Sequence, residues 1–536
     1  MDLNWEGAHI VVLEVPDSVK VVALHTCSGA DGRAGALFQS GARLTRLGQN
    51  WVILPIVIVL FSCMVIPANS ATSLKAIAAR GSISYSPSIE LIVNASNIIG
   101  TNKLSLGVQL SYGSLGFFQT SPQLRQLAKD ANIKLVRIFD ILTSNKIWIP
   151  TLMPCIRFNE TVGTGKYNWT NVDGIVGKIL EIGATPLVCL GAFDAQLPMI
   201  PLGMGILPST GLPNPQSYAS YAAEWARHFR LKGWDVKFYQ IFNEPWSYFG
   251  WEPVNYSKLD NYIRVFNAAA AAMRQENADL VISFDFIGRK PVMDYWLTHA
   301  GAEVDSIDFH KYDAWVVGQT TDAEMFTKAD SDYFETWPLG RSVVEARQTW
   351  FDSRGRNLPM ICSESNFNAA YENGTDLRIQ QMTGAVWLAM VLRNEILVGV
   401  SYHTYFELSS SFNQNSYGFG MIYNVANGFK PWYPYYVYQM LGNSLIPGDQ
   451  IVEIECSSED MRTVSWNHNG KLNMLLICKN EGSRTVNIRG CQNQQLRLTR
   501  IDNTIPYQNA QIQTGIISST EPLVINGYTV VLLQAT

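Results

Sequence analysis

The sequence is poor in the residue patterns that bind metal ions or carry out redox chemistry. Its 7 histidines form no His-Glu-x-x-His pattern, and its 8 cysteines include no Cys-x-x-Cys pair. Zinc sites and thioredoxin-like sites are built on such short spacings, so the sequence predicts neither of them. We therefore expect a protein that needs no metal ion and no other cofactor.

A positive charge balance is also lacking. The chain has 40 lysines and arginines against 45 acidic residues, which gives a formal net charge of −5. Nucleic-acid-binding domains carry a basic surface, so nucleic acid is not an expected partner. Aromatic residues, by contrast, make up 11% of the chain. Their flat faces serve protein cores and sugar stacking alike, so this share alone decides nothing.

One uncharged apolar segment, residues 51–67, lies near the N-terminus. Arg43 and Arg46 precede it and small residues follow it, as in a secretory signal peptide. Because about 50 residues come first, either Met1 is not the true start or the segment is an uncleaved transmembrane signal anchor; a buried core helix is the alternative. The basic flank favours a cytoplasmic N-terminus. We expect the rest of the chain to lie outside the cytoplasm, membrane-anchored or secreted.

Asparagine sequons fit an external location. Five Asn-x-Ser/Thr sites are present, at Asn94, Asn159, Asn168, Asn255 and Asn373. Such sites accept glycans on the surface of secreted proteins. Upstream of the apolar segment, residues 1–50 show little pattern and are predicted to be a tail without fixed structure.

The middle of the chain alternates between β-rich apolar runs and helical patterns. Strands alternating with helices predict a parallel sheet, and eight such units predict a (β/α)8 barrel, here over residues 104–442. Residues 71–103 are predicted to be a linker with short strands. After residue 445 only short alternating runs follow, which predict an antiparallel β-sandwich over residues 445–536. The eight runs are residues 104–110, 134–140, 185–191, 236–245, 280–288, 306–312, 358–365 and 398–407.

Polar side chains are concentrated where these predicted strands end. The active site of a (β/α)8 barrel lies at the C-terminal ends of its strands, so these side chains are expected to meet at one mouth. The residues in question are Arg137, Asn243, Glu244, His310, Tyr312, Glu364 and His403.

Two of these residues, Glu244 and Glu364, are carboxylates at the ends of the fourth and seventh runs. Two carboxyl groups in one cleft suit glycoside hydrolysis. One of them stays protonated and donates to the leaving oxygen, while the other is ionised and attacks or stabilises the sugar cation. The pattern therefore predicts a glycosidase.

The Asn243-Glu244-Pro245 motif and the second glutamate, Glu364, resemble clan A glycoside hydrolases, which are retaining enzymes. Further segments are similar to glycoside hydrolase family 39, the β-xylosidase and α-L-iduronidase group, and the resemblance covers roughly residues 104–442. It implies that Glu244 is the acid/base and Glu364 the nucleophile. It also implies that Asn243 holds the sugar 2-hydroxyl and that Arg137 and Tyr312 neighbour the nucleophile. The similar segments are residues 167–173, 183–186, 225–228, 308–312 and 417–431.

Contacts with the sugar are less determined than the reaction. The resemblance implies that His310 lines the subsite. Trp246 and Trp315 follow strand ends, where each either stacks on a sugar or packs under a loop. His403 stands where the clan usually has a tryptophan platform, and it is either a substrate contact or a wall residue. Phe242 replaces a tryptophan that often precedes Asn-Glu-Pro.

The expected partner is therefore an oligosaccharide, a polysaccharide or another glycoside. Arg137 and Lys311 are the only cations expected at the mouth, which favours a neutral sugar. Two alternatives stay open: a transglycosylase, which uses the same carboxylate pair, and a catalytically inactive carbohydrate-binding or scaffold protein on the same barrel.

Overall fold

A computed structural model gives the structure of the chain, which divides into two compact units, Met1–Ser82 and Ile83–Thr536. In the first unit only five strands are described. In the second, the structure describes residues 88–139, 154–194, 197–245, 255–284, 290–299, 304–330, 355, 357–370, 376–410, 418–423, 428–491 and 494–536.

The described part of the first unit consists of short antiparallel strands, although the sequence predicts a tail without fixed structure. Runs of apolar and β-branched residues such as Ala8–Leu13 favour this pairing. Of the predicted membrane segment, residues 51–53 belong to a strand and residues 54–67 lie outside the described residues. No helix among the described residues is long and apolar enough to cross a bilayer. The strands are Asn4–Trp5, Ala8–Leu13, Val21–Thr26, Leu44–Leu47 and Asn50–Ile53.

Eight parallel strands of the second unit form one curled sheet, and each of the eight predicted runs overlaps one of them. The strand order is β5-β4-β3-β2-β1-β8-β7-β6, so neighbours in sequence are neighbours in space. Asp305, just before β6, donates its N–H to the carbonyl of Ile282 in β5 at 3.0 Å, which links the two ends of that order. This arrangement fits the predicted (β/α)8 barrel. The strands are β1 (Ser105–Leu110), β2 (Leu135–Phe139), β3 (Thr185–Leu190), β4 (Phe238–Ile241), β5 (Val281–Ser283), β6 (Ile307–Ala314), β7 (Met360–Asn368) and β8 (Tyr402–Tyr405).

Helices lie between these strands. One of them, Met382–Val398, has 14 buried residues out of 17, so its polar side chains need protein partners. The helices are α1 (Tyr112–Thr120), α2 (Pro122–Asp130), α3 (Thr170–Glu181), α4 (Pro215–Lys232), α5 (Tyr256–Glu276), α6 (Lys290–His299), α7 (Asp322–Asp330), α8 (Met382–Val398) and α9 (Tyr433–Gly442), with 3-10 turns at Leu377–Gln380 and Tyr507–Asn509. Short hairpins join Cys155–Asn159 to Thr164–Tyr167, Ala192–Asp194 to Leu197–Met199, and Ile206–Leu207 to Leu212–Pro213.

A second sheet of nine strands, mostly antiparallel, follows the barrel. One of its strands, Ser88–Thr101, comes from the segment before the barrel and pairs with β9 and β12. The sequence predicts a linker with short strands over residues 71–103, and residues 88–101 of it form one long strand. Its pairing with partners so distant along the chain leaves no local signal in the sequence. The other strands are β9 (Gln450–Cys456), β10 (Met461–His468), β11 (Lys471–Cys478), β12 (Ser483–Arg489), β13 (Gln495–Asp502), β14 (Gln513–Ser518), β15 (Leu523–Asn526) and β16 (Thr529–Ala535).

The nine-stranded sheet buries side chains on both faces. Leu476 and Val531 belong to a hydrophobic core formed by the sheet itself. Their neighbours Leu475 and Val530 belong to the core that includes the barrel. This alternation follows from the two-residue period of a strand. The arrangement is compatible with the predicted β-sandwich.

Candidate active site

A fully buried arginine on β2 connects four elements inside the barrel. The guanidinium of Arg137 donates from Nη1 to Glu364 Oε2 at 2.7 Å and to Gln109 Oε1 at 2.6 Å. It donates from Nη2 to Asn243 Oδ1 at 2.6 Å and from Nε to Gln240 Oε1 at 2.7 Å. A buried cation is tolerated only when it is paired and hydrogen-bonded in this way. The charge of Arg137 therefore fixes side chains from β1, β7 and the end of β4.

Glu364, on β7, accepts a hydrogen bond on each carboxyl oxygen. Tyr312 donates its hydroxyl to Oε1 at 2.6 Å, while Arg137 occupies Oε2. Donors of this kind fix the orientation of a carboxyl group. The sequence prediction that Arg137 and Tyr312 neighbour Glu364 agrees with this geometry.

Glu244, just after β4, faces the imidazole of His310 on β6. His310 Nδ1 lies 2.9 Å from Glu244 Oε1. Burial raises the pKa of Glu244 to about 7, against the opposing effect of the positive Arg137. Burial also lowers the pKa of His310 to about 3, so its ring is neutral at neutral pH. Atoms of Glu244, His310 and Glu364 that could ligate a cation lie within 4.8 Å of one another.

The backbone at the end of β4 is strained. Phe242 and Glu244 have positive φ angles of 64° and 43°, which side chains other than glycine rarely adopt. Strand alternation would place Phe242 on the inner face with Gln240. Instead its ring is fully buried and stacks on Tyr218 of α4 at 5.0 Å. The turn leaves the next two side chains, Asn243 and Glu244, facing the mouth.

This position of Phe242 corrects the sequence interpretation. Its replacement of a tryptophan was expected to concern the sugar, but the ring packs in the helix layer and has no path to a substrate. The physical reason is the positive φ at Phe242, which no residue pattern encodes.

Three buried polar residues of the network were not predicted. Gln240 donates to Asp308 Oδ2 at 2.7 Å, in addition to accepting from Arg137. Burial raises the pKa of Asp308 to about 6, against hydrogen bonds from serine side chains and Gln240 that lower it. Gln109 is the third of these residues. The signal that identifies all three is a polar side chain within an apolar strand run.

His403 does not reach the mouth. It is fully buried on β8, and its Nδ1 lies 2.9 Å from Oε1 of Glu395 on α8. Its neighbour Tyr402 packs against Leu135 and Ile361 inside the barrel, so alternation turns His403 outward. The prediction that His403 contacts the substrate is therefore wrong, and His403 is a residue of the barrel wall.

The expectation that Lys311 is a cation at the mouth is also wrong. Lys311 is 2% exposed at its side chain and lies 2.5 Å from Asp313 Oδ1, so it does not provide a cation at the mouth. Trp246 lies outside the described residues. Trp315 is 49% exposed.

Two clusters bring together side chains of metal-ligating type in the described part of the chain. One is Glu244, His310 and Glu364 in the mouth, and the other is Cys362, Glu395 and His403 behind it. Hydrogen bonds and ion pairs within the protein account for the close approach in each cluster. We therefore assign no metal ion to either.

No protein-family model and no curated protein matches the sequence. Solved structures do match in fold. An α-L-arabinofuranosidase from Thermotoga maritima is 14% identical, with a TM-score of 0.60, and the match covers 84% of this chain and 100% of that one.

Two further solved structures match over a similar length. A monomeric β-xylosidase from Caulobacter crescentus is 13% identical, with a TM-score of 0.56 and 83% and 99% of the two chains covered. The catalytic domain of the GH30 xylanase C from Talaromyces cellulolyticus is 12% identical, with a TM-score of 0.55 and 83% and 100% covered. At these identities the likeness establishes the fold alone. The chain shares the fold of clan A glycoside hydrolases, as its sequence resemblance predicts.

Proposed function

We propose that the chain is a retaining glycoside hydrolase that cleaves O-glycosidic bonds by double displacement, with Glu244 as acid/base and Glu364 as nucleophile. The approach of their carboxyl oxygens to within 4.8 Å supports this assignment most directly. Retaining enzymes hold the two carboxyl groups about 5–5.5 Å apart, whereas inverting enzymes leave about 6.5–9.5 Å for a water molecule.

The two carboxyl groups have the different environments that this reaction needs. With its pKa raised to about 7, Glu244 keeps a proton for the leaving oxygen at neutral pH. The ionised Glu364 attacks the anomeric carbon while the bond to the leaving oxygen breaks. The products of this step are the protonated leaving group and a glycosyl ester of Glu364.

The second step reverses these roles. Glu244, now ionised, removes a proton from a water molecule, whose oxygen attacks the anomeric carbon. The ester bond breaks, Glu364 leaves as a carboxylate, and Glu244 regains its proton. Arg137 keeps its charge throughout and compensates the negative charge of Glu364 in the resting state.

Asn243 is oriented for sugar binding. Its carbonyl Oδ1 accepts from Arg137 at 2.6 Å, which directs the amide nitrogen away from the guanidinium. We assign this nitrogen to a hydroxyl of the bound sugar. Arg137 is the cation among the described residues of the mouth. Its guanidinium nitrogens already donate hydrogen bonds to protein side chains. The substrate class is therefore a neutral glycoside.

A substrate panel and two variants test the proposal. The panel contains 4-nitrophenyl β-D-xylopyranoside and α-L-arabinofuranoside, chosen because the similar structures are a xylosidase and an arabinofuranosidase, and the β-D-glucuronide as the acidic comparison. We expect hydrolysis of a neutral member, and a loss of at least about 1,000-fold in Glu364→Gln. Glu521→Gln, at an exposed position in the turn between β14 and β15, is the control and should keep full activity.

A 2-deoxy-2-fluoro glycosyl fluoride of the accepted sugar should label Glu364 covalently, as mapped by peptide mass spectrometry. Full hydrolysis by Glu364→Gln, or a label on another residue, would refute the nucleophile assignment. Sugar binding without any turnover would favour the carbohydrate-binding alternative. Disaccharide products formed from the aryl glycoside would favour the transglycosylase.

We also propose that the barrel acts outside the cytoplasm, on the basis of the apolar residues 51–67. The four sequon asparagines that the structure describes are all exposed, which suits glycan attachment: Asn94, Asn159, Asn168 and Asn255. Expression through a eukaryotic secretory pathway should give a product whose gel mobility changes on endoglycosidase treatment. A product without glycans and inside the cytoplasm would contradict this location.

A further inference from the structure

We propose that Trp315 forms the stacking platform for the leaving-group part of the substrate. This assignment rests on the proposed function. Trp315 follows directly on the C-terminal end of β6 and is 49% exposed. The adjacent Val316 is 46% exposed. The loop after β6 therefore presents an indole ring at the barrel mouth.

The indole lies one aromatic ring away from the nucleophile. Its centroid is 5.9 Å from that of Tyr312, with 46° between the ring planes. The hydroxyl of Tyr312 is 2.6 Å from Glu364 Oε1. A sugar whose anomeric carbon faces Glu364 therefore lies near Trp315, with the Tyr312 ring between Glu364 and the indole.

The position of the acid decides which part of the substrate meets the indole. Glu244 must reach the leaving oxygen, and its carboxyl is 2.9 Å from His310 on β6. The acid thus leans toward β6, so the leaving group exits on that side of the mouth. Trp315 stands at the outer end of the same strand. The cleaved sugar instead lies over Asn243 and Arg137.

An indole face suits this role chemically. Flat aromatic surfaces stack on sugar rings and on aryl groups, and such contacts tolerate different ligands because they need no fixed hydrogen bonds. Trp315 would therefore contribute to binding of the leaving group without a role in the bond-breaking step itself.

Two leaving groups of different size test the assignment in the full chain. We expect Trp315→Ala to lower kcat/KM about 10-fold for the 4-nitrophenyl glycoside accepted by the wild type. The glycosyl fluoride of the same sugar has a single atom as leaving group, and its kcat/KM should stay within about twofold. Trp315→Phe keeps an aromatic face and should recover most of the loss. Val316→Ala, at the exposed neighbour, should leave kcat/KM unchanged for both substrates.

Equal losses for the aryl glycoside and the fluoride would overturn the assignment, because they would place Trp315 at the cleaved sugar or in the fold. Unchanged kinetics with both substrates would overturn it as well. Thermal melting of Trp315→Ala must match that of the wild type, and Trp315→Phe supplies the comparison if it does not. A wild-type chain that hydrolyses neither substrate would instead refute the proposed function.

Discussion

His310 Nδ1 lies 2.9 Å from Glu244 Oε1, so a neutral imidazole contacts the carboxyl group whose pKa is raised to about 7. A charged imidazolium at this distance would favour the ionised carboxylate and remove the proton that an acid needs. Burial prevents this by lowering the pKa of His310 to about 3. The contact therefore orients Glu244 and leaves its proton in place.

The first prediction concerns pH. Glu244 is protonated below its pKa of about 7 and loses the acid form above it. We expect kcat/KM for an alkyl glycoside, which has a poor leaving group, to fall as the pH rises through about 7. Glu244→Gln should abolish this alkaline limb, and a limb that persists in the variant would contradict the assignment.

The second prediction compares leaving groups. Protonation matters little when the leaving group is a good anion. Glu244→Gln should therefore lower kcat/KM about 100- to 10,000-fold for the alkyl glycoside. For a 2,4-dinitrophenyl glycoside, kcat/KM should fall less than about 10-fold. Steady-state kinetics of the two substrates provide the measurement. Equal losses would mean that Glu244 does not protonate the leaving oxygen.

The third prediction separates a clash from backbone strain at two glycines that flank β3. Gly183 and Gly191 have φ angles of 76° and 96°. Alanine at either costs about 1 kcal/mol because its backbone disfavours positive φ. A Cβ at Gly191 would also lie 2.4 Å from Phe242 Cδ1, whereas nothing lies within 4 Å at Gly183.

Gly191→Ala should therefore destabilise the chain by about 1–3 kcal/mol more than Gly183→Ala in urea unfolding. It should also lower kcat/KM, because the displaced Phe242 carries Asn243 and Glu244 with it. Gly183→Ala serves as the matched control and should keep its kcat/KM. Equal activity in the two variants would argue against a link between Phe242 and the mouth.

The fourth prediction concerns the buried pair behind the barrel. His403→Leu removes the imidazole that lies 2.9 Å from Oε1 of the buried Glu395, and we expect a loss of about 1–3 kcal/mol in the free energy of unfolding. Replacing Glu395 with leucine as well should restore part of it. KM of the folded variants should equal that of the wild type, and a raised KM would return His403 to the substrate site.

The positions of Arg137, Glu244 and Glu364 are predictable because each is a charged residue within or just after an apolar strand run. A barrel brings such strand ends together whatever the details of its loops. The same logic places His310 and Tyr312 beside them. Thus the parts of the site that depend only on strand order are readable from the sequence.

The orientation of other side chains depends on local backbone geometry that cannot be predicted from the sequence pattern. Phe242 is turned outward by its positive φ, and a bulge shifts the register of β7 near Glu364. β8 has only four residues, too few for its alternation to show on which face His403 lies. The outward Phe242 packs on Tyr218 of α4, a contact that only the folded chain reveals.

The strand Ser88–Thr101 has a consequence for synthesis on the ribosome. It emerges before the barrel, yet Glu453, which accepts a hydrogen bond from its Asn94, lies 359 residues further along the chain. At about 5–20 residues per second its partner strands follow only after about 20–70 s. During this time its apolar side chains and backbone groups lack their final partners, which exposes an aggregation-prone edge. The nine-stranded sheet can therefore close around this strand only after β9 and β12 have been synthesised.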